Sequence, residues 1–221
     1  MHMKIDDILV RESIYNKIKS DITFGNIQPG ERLLESKLTS QFRVSRTPIR
    51  EAIRQLQSEG LVTVESRKGA TVTKLSKGEV EEIYAIRTLL EGYGVELAVR
   101  RLGGKEKEVL REFKKLFQGH KKKGRYSDWL DTNIQFHLFF ARGSGNSNLY
   151  KIIEDLRMRV HRYQYIATTN PAFIQQYTKE HEEIIDAAIE GNQKLSRRKM
   201  ENHLRNVRHI LTDFIKRFPM I

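Results

Sequence analysis

One eleven-residue segment constrains the fold of this 221-residue chain more than any other, Val44-Ser45-Arg46-Thr47-Pro48-Ile49-Arg50-Glu51-Ala52-Ile53-Arg54. Its apolar residues Ile49 and Ile53 recur at helical spacing. Pro48 lies in the first turn, where a missing N–H costs little, and Ser45 stands at the N-cap position. The segment therefore predicts a helix with a basic opening turn.

The flanking sequence places this helix in a larger motif. A short helical stretch, Glu35 to Phe42, precedes it, and the turn Arg43-Val44 joins the two. A β-like segment, Val62-Thr63-Val64, follows it and leads into Arg67-Lys68-Gly69-Ala70-Thr71-Val72. Helix, tight turn, basic-tipped helix and β-ribbon is the layout of a winged helix-turn-helix, which inserts one helix into a DNA major groove. We therefore predict a DNA-binding domain over residues 1–75.

The candidate DNA contacts share the exposed face of the second helix and the wing. Arginines at the start of such a helix can contact guanine edges, and hydroxyl groups can contact phosphates or bases. The set is Ser45, Arg46, Thr47, Arg50, Arg54, Arg67 and Gly69. The alternative for these residues is a solvated basic face without a nucleic-acid partner.

The rest of the chain predicts helices alone. Ser76-Lys77-Gly78-Glu79 is a capping-box pattern that opens a second domain over residues 76–221. Apolar periodicity and Gly or Pro breakers predict helices over 79–101, 106–118, 126–142, 147–168, 172–190 and 194–217. The predicted fold class is mainly α, with an N-terminal winged helix-turn-helix and a C-terminal all-helical bundle of six or seven helices.

Composition restricts the setting of these domains. The formal net charge of +12 suits a polyanionic partner, although the larger share of the excess lies in the second domain. The chain has no cysteine, which suits a cytoplasmic protein. It shows neither a signal-peptide pattern nor the run of roughly 18 apolar residues that a membrane helix needs. We expect a cytoplasmic protein without a membrane partner.

Three histidines are candidate metal ligands, because each lies on the apolar face of a different predicted helix. They are His137, His181 and His203. Three imidazoles that converge in a bundle core can form a three-histidine metal site with open positions. The alternative is that each histidine is an ordinary buried or boundary residue.

Arg87 is the candidate effector-binding residue. It lies beside the apolar stripe of the first helix of the second domain, where its guanidinium could hold a carboxylate bidentately. The alternative is an ion pair with Glu91, four residues further along the helix. Arg157, His161 and Tyr165 could line the same cavity, although a surface position is equally compatible with the pattern.

The first domain resembles the GntR family of bacterial transcription regulators. The resemblance is carried by Pro29-Gly30-Glu31-Arg32-Leu33-Leu34, Val44 to Ala52, Leu56, Glu59-Gly60-Leu61-Val62 and Arg67 to Val72. It implies a homodimer that binds a short, roughly palindromic site in double-stranded operator DNA. It also implies that Arg46, Thr47 and Arg50, helped by Ser45 and the wing, contact bases or adjacent phosphates.

The second domain resembles the FCD-type ligand domain of the FadR subfamily. Asn133-Ile134-Gln135-Phe136-His137 followed by Ser144-Gly145-Asn146, the segment around His181 and the segment around His203 carry this resemblance. It implies a divalent ion, often Zn or Ni, held by one Asp and three His, and a small carboxylic-acid effector that contacts Arg87. The family Asp position is Asn133 here, so this residue is a weaker fourth ligand or orients the others.

These features predict a regulator, more often a repressor in this family, whose operator affinity depends on an effector. Three alternatives remain open at this stage. One is a metal-dependent hydrolase that uses the three-histidine site to activate water. Another is a regulator that senses the metal itself, and the third is a regulator with a metal-free cavity.

Overall fold

The computed structural model describes residues 5–23, 26–65, 69–74, 76–167 and 171–217. Its elements in chain order are α1 (Ile5–Thr23), β1 (Arg32–Leu33), α2 (Glu35–Phe42), α3 (Arg46–Ser58), β2 (Val62–Glu65), β3 (Gly69–Val72), α4 (Lys77–Val99), α5 (Gly104–Lys122), α6 (Tyr126–Gly143), α7 (Ser147–Ala167), α8 (Pro171–Ile189) and α9 (Gln193–Arg217). The described part of the chain divides after Lys74 into two compact units. Mainly helical architecture with a small three-stranded wing confirms the predicted fold class.

The first unit is a winged helix. Its three strands form an antiparallel sheet in the order β1-β3-β2, with Val62 opposite Val72 and Glu65 opposite Gly69. Helix α1 packs on α3, and their apolar faces form the core with the inner face of the sheet. The buried core residues include Ile14, Ile18, Ile22, Leu38, Ile49, Ile53, Leu56, Leu61 and Val72.

The apolar residues of α1 are buried only from Ile14 onward. Ile14, Tyr15, Ile18 and Ile22 are buried at helical spacing, but Leu9 is 59% exposed. Val10, the neighbouring residue, is also exposed, at 38%. The face of α1 that packs on α3 therefore begins after these two residues.

The turn between α2 and α3 depends on one left-handed residue. Arg43 adopts φ 55° and ψ 45°, and its N–H donates to the carbonyl of Thr39, which closes the C-terminus of α2. Val44 donates to the same carbonyl at 3.3 Å. A residue in the left-handed conformation changes the direction of the chain sharply, so α3 can begin shortly after the end of α2, at Arg46.

In its described residues, the second unit is a bundle of six helices, α4 to α9, in agreement with the predicted six or seven. Helix α4 packs along α9 and against α6, while α5 packs against α6 and α8. The capping box at the start of α4 is confirmed: Ser76 Oγ accepts from the N–H of Glu79, whose carboxylate accepts from the N–H of Ser76. In the described residues, no helix is long and apolar enough to cross a membrane.

The predicted end of α5 is wrong. The helix continues through Gly119 to Lys122 rather than ending near residue 118. His120, Lys121 and Lys122 lie in its last turn, where positive charge interacts favourably with the helix dipole. Phe117, two residues before Gly119, is buried. Its burial offsets the modest free-energy cost of a glycine inside the helix.

Candidate functional site

The predicted DNA contacts lie together on the winged helix. Arg46, Thr47, Arg50 and Arg54 are all exposed on α3, which buries the opposite face through Ile49, Ile53 and Leu56. Ser45 occupies the N-cap position with extended backbone, but its hydroxyl makes no capping hydrogen bond and remains exposed. The basic turn of α3 therefore has the exposure that groove insertion requires.

The wing approaches the same face. A crevice of about 370 Å³ separates α3 from the sheet, and its lining includes Arg50, Arg54 and Gly69. Gly69 adopts φ +84°, a conformation that L side chains rarely take, and no heavy atom lies within 4 Å of where its Cβ would stand. Arg67, which we also predicted as a DNA contact, and its neighbour Lys68 lie outside the described residues.

Arg50 has a protein partner that the sequence analysis missed. Its Nε lies 2.9 Å from both carboxylate oxygens of Glu35, the first residue of α2. The pair is exposed, so it contributes little to stability. Because only Nε is engaged, Glu35 orients the guanidinium while the other two nitrogens remain available for a base or phosphate.

The three predicted histidines converge in the second unit. His137 from α6, His181 from α8 and His203 from α9 are each at least 97% buried, and one ring nitrogen from each lies within 4.8 Å of the others. The Nε2 atoms of His181 and His203 are 3.2 Å apart. Two nitrogens bound to one zinc ion lie roughly 3 to 3.5 Å apart, so the distance suits shared coordination.

Neighbouring carboxylates orient two of these rings. Glu91 lies 2.6 Å from Nδ1 of His137, and Glu180 lies 2.6 Å from Nδ1 of His203. When a carboxylate accepts from Nδ1–H, the Nε2 lone pair is left for a metal. In the absence of a metal, the same 3.2 Å distance fits a hydrogen bond from His181 to His203.

Burial keeps the rings of His137 and His181 neutral. It lowers the pKa of His137 and of His181 well below the ordinary histidine value. A neutral imidazole is the form that binds a metal ion. Aromatic packing fixes His181 further, since its ring stacks on Trp129 with centroids 5.5 Å apart and contacts Phe117 at 4.6 Å. The donor set therefore fits a divalent ion of the zinc or nickel type.

Asn133 lies one helical turn before His137 on α6 and is 5% exposed. It is thus on the side of α6 that carries His137, as the family pattern implies. Asp131, two residues earlier, is exposed and cannot replace it. Asn133 therefore occupies a buried position one turn from His137 and lacks the negative charge of an aspartate.

Glu91 links the histidines to Arg87, a connection that the sequence analysis missed. Arg87 is fully buried, and its Nε donates to Glu91 Oε1 at 2.7 Å, while Glu91 Oε2 faces His137. Burial alone would raise the pKa of Glu91, but Arg87, His137 and Arg157 hold it well below its usual value. Glu91 is therefore a buried carboxylate at the centre of the site. The i+4 spacing offered the pair with Arg87 as the alternative to an effector-binding role, but it gave no sign of His137.

The second unit also contains buried polar atoms without a hydrogen-bond partner among its described residues, some of them on the arginines that contact Glu91. In the described part of the second unit, the buried side-chain atoms without a hydrogen-bond partner are Arg87 Nη1 and Nη2, Arg157 Nε, both ring nitrogens of His161, Tyr177 Oη and His181 Nδ1. An unsatisfied buried polar group costs roughly 1–3 kcal/mol, so such a concentration indicates a place for a polar ligand or ordered water. Arg157 and His161 are thus buried rather than on the surface; the side chain of Tyr165 lies outside the described residues.

Comparison with known proteins agrees with this geometry. Residues 10–72 match the model for bacterial regulatory proteins of the gntR family, and residues 82–206, more than half of the chain, match the FCD domain. The chain belongs to the GntR family. It is a DNA-binding transcription regulator with an FCD domain and not an enzyme, so the hydrolase alternative falls away.

Related GntR regulators cover most of this chain. The repressor GlaR of Escherichia coli is 35% identical over 156 residues, which span 69% of this chain and 71% of GlaR. The uncharacterized regulator YdhC of Bacillus subtilis is 28% identical over 204 residues, which span 90% of this chain and 91% of YdhC. The structure of E. coli McbR/YncC superposes with a TM-score of 0.79 and 26% identity, covering 93% of this chain and 98% of McbR.

Proposed function

We propose that this GntR regulator is a cytoplasmic homodimeric repressor of the FadR subfamily. Its affinity for double-stranded operator DNA responds to a small carboxylic-acid effector that binds with a divalent metal in the FCD domain. Related proteins that are named repressors include GlaR of E. coli and the gluconate operon repressor of Bacillus licheniformis, which is 33% identical over 64% of this chain.

The convergence of three buried histidines beside a group of unpartnered donors carries the proposal. His137, His181 and His203 would hold Zn or Ni, with Asn133 as a weak fourth ligand or as a residue that orients the others. A bound divalent ion would supply a positive, Lewis-acidic centre that attracts a carboxylate oxygen. A crevice of about 310 Å³ between α8 and α9 reaches His203 and offers the metal a route to the site.

Arg87 is the second anchor for the effector. Its Nε is held by Glu91, and its Nη1 and Nη2 have no hydrogen-bond partner among the described residues. The carboxylate of Glu91 outweighs burial and raises the pKa of the guanidinium, which therefore stays charged. The guanidinium also lies against Tyr84, 4.6 Å from the centroid of its ring. A charged guanidinium oriented by Glu91 and Tyr84 is suited to carboxylate binding.

Homodimerisation is supported by an apolar stripe on α4. Ile86, Leu89 and Tyr93 follow one another at spacings of three and four residues and are 48%, 63% and 45% exposed. Exposure of such an apolar stripe to water is unfavourable, and the association of two copies would cover it. A two-fold dimer would present two reading helices to a palindromic site.

An effector can release DNA only by binding more tightly to the form of the dimer that does not bind DNA. The test starts with selection of bound duplexes from a random-sequence library by the full chain. Binding to the selected duplex is then followed by fluorescence anisotropy, with zinc and a panel of carboxylates. We expect at least one carboxylate to weaken wild-type binding and to have no effect on His203→Ala. Equal responses of both proteins would contradict the proposal.

A regulator that responds to the metal alone is the second candidate. The crevice that leads to His203 favours it, because the ion could exchange without an organic ligand. The same anisotropy assay separates a metal-responsive regulator from an effector-responsive one. If the protein responds to the metal alone, zinc without any carboxylate should change its affinity for the selected duplex. No change with zinc alone, followed by a change with a carboxylate, would support the effector proposal.

A further inference from the structure

One acidic residue lies on the face of the winged helix that carries the predicted DNA contacts. Among the described residues that line the crevice between α3 and the sheet, Glu35 is the one with a negative charge. The positive side chains of the same lining are Arg32, Arg50 and Arg54. DNA presents a negatively charged phosphate backbone, so a carboxylate on this face lowers the affinity for DNA of any sequence. We therefore expect Glu35 to have a compensating role in DNA binding.

Glu35 is fixed in its position by its own helix and by Arg50. It is the first residue of α2, where the positive end of the helix dipole favours a negative charge. Both of its carboxylate oxygens lie 2.9 Å from Nε of Arg50. The two residues are 15 positions apart and are brought together by the turn at Arg43 and the packing of α2 on α3. The contact is thus part of the helix-turn-helix itself.

This contact engages one of the three nitrogens of the Arg50 guanidinium. The Nη1 and Nη2 atoms make no hydrogen bond within the described part of the winged helix, and the side chain is 56% exposed. The end of the guanidinium that carries these two nitrogens can donate to both O6 and N7 of guanine. An arginine that is not held can also turn its other N–H groups toward a phosphate. Glu35 therefore favours the orientation that reads a base.

The same contact reduces the attraction of Arg50 for phosphates. The negative charge of Glu35 compensates the positive charge of the guanidinium at a distance of 2.9 Å. Both side chains are at least one-third exposed, so the pair contributes little to the stability of the domain. Its effect is expected on the choice between DNA sequences rather than on folding.

We propose that Glu35 is a positioning residue that makes Arg50 selective for guanine over phosphate. It holds Nε and compensates the charge, which weakens binding to DNA of arbitrary sequence, while a guanine at the right position still receives two hydrogen bonds. Specificity is a difference between two affinities, so a residue that lowers the affinity for wrong sites raises specificity without adding a contact. This inference uses only the DNA-binding function of the family and is independent of the proposed effector and metal.

The test compares two duplexes, the selected operator and a shuffled duplex of the same length and composition. Affinities of the full chain for both are measured by fluorescence anisotropy over a series of salt concentrations. Glu35→Ala should bind the shuffled duplex severalfold more tightly, because Arg50 is then free to pair with a phosphate. The slope of log affinity against log salt should become steeper by about one for each bound DNA-binding domain.

The ratio of the two affinities should fall in Glu35→Ala. We expect a decrease of about tenfold or more, which is the range for the loss of one oriented bidentate base contact. Arg50→Ala should lower the same ratio but should weaken binding to the shuffled duplex. The two variants therefore change unselective binding in opposite directions, which a general disturbance of the fold would not produce.

A conservative variant and a matched control separate charge from shape. Glu35→Gln keeps the side-chain shape and an oxygen that can accept from Nε, so it should raise affinity for the shuffled duplex but lose less of the ratio than Glu35→Ala. It also keeps the test valid if Glu35→Ala disturbs α2. The control is Glu12→Gln on α1, which removes the same charge from an exposed position on the helix that packs on the buried face of α3. It should behave as wild type on both duplexes.

A double variant shows whether Glu35 acts through Arg50. Addition of Glu35→Ala to Arg50→Ala should change the ratio of affinities less than about twofold, because no guanidinium is left to orient. Selection from the random-sequence library by Glu35→Ala should relax the same guanine position as selection by Arg50→Ala and preserve the other positions.

Three results would overturn the proposal. One is a Glu35→Ala variant with wild-type affinity for both duplexes. Another is an equal fall of the ratio with and without Arg50, since Glu35 would then contact a base itself, such as the amino group of cytosine. The third is a selected sequence that loses preference at every position together with a lower midpoint of thermal unfolding, which would assign Glu35 a purely structural role.

Discussion

Glu91 should be the most important single carboxylate for the stability of the FCD domain. It is 3% exposed and contacts Arg87, His137 and Arg157. Removal of one partner from a buried ion pair leaves an uncompensated charge and costs about 3–5 kcal/mol. Glu91→Gln keeps the side-chain shape but removes the charge that two arginines share, so we expect a loss of about 4 kcal/mol.

The magnitude can be measured with the one tryptophan of the chain. Trp129 is 1% exposed and stacks on His181, so its fluorescence reports unfolding of the FCD domain specifically. In a domain of this size, about 1 kcal/mol shifts the midpoint of thermal unfolding by roughly 2–4 °C, which predicts a decrease of about 8–16 °C for Glu91→Gln. Urea denaturation followed at the same tryptophan gives the free energy directly.

The matched control is Glu81→Gln on the same helix. Glu81 pairs with Lys77 at 3.2 Å, and both side chains are more than 40% exposed. An exposed pair of this kind contributes about 0.5 kcal/mol or less, so the control should unfold within roughly 2 °C of wild type. A Glu91→Gln variant that unfolds as late as Glu81→Gln would refute the central role of this carboxylate.

Three further predictions concern other parts of the molecule. Arg50→Ala should weaken binding to the selected operator at least tenfold in anisotropy assays and preserve the circular dichroism spectrum, because the side chain is exposed; unchanged affinity would show that α3 does not read the operator as proposed. Leu89→Glu should dissociate the dimer in analytical ultracentrifugation, because it buries a charge in the stripe on α4; a variant that stays dimeric would exclude this stripe as the interface. Glu96→Gln should lower stability at pH 7, and this deficit should shrink as the pH falls through the folded-state pKa of Glu96, because the hydrogen bond from Arg197 holds that pKa below its usual value and the contribution is lost as the carboxylate is protonated. A deficit in urea denaturation that does not change with pH would contradict this assignment.

Local sequence patterns predicted the helices and their caps well, because these elements are formed by interactions between residues that are close in the sequence. The capping box at Ser76 and Glu79 needs only a spacing of three residues, and the structure confirms it. The apolar spacing of α3 likewise fixes which of its faces is buried. Gly119 misled the prediction of α5, because tertiary packing around Phe117 and a basic last turn outweigh the helix-breaking tendency of one glycine.

The site residues could be predicted from sequence only where their position on one face of a helix indicated burial. Each histidine lies on the apolar face of its own helix, so burial of all three followed from periodicity, and the family pattern indicated their convergence. Glu91 could not be assigned to His137 from sequence, because the two residues are 46 positions apart and meet only through the packing of α4 on α6. The same holds for Arg157, whose approach to Glu91 and Asn133 depends on the packing of α7.

Metal content per chain tests the account most directly. The protein would be purified without chelators and without a metal-affinity column, and analysed for its elements beside His203→Ala. We predict close to one Zn or Ni per wild-type chain and none in the variant, since the three ring nitrogens lie within 4.8 Å of one another. A wild type that holds no metal even after soaking and desalting would contradict the account and leave His181 and His203 as a hydrogen-bonded pair.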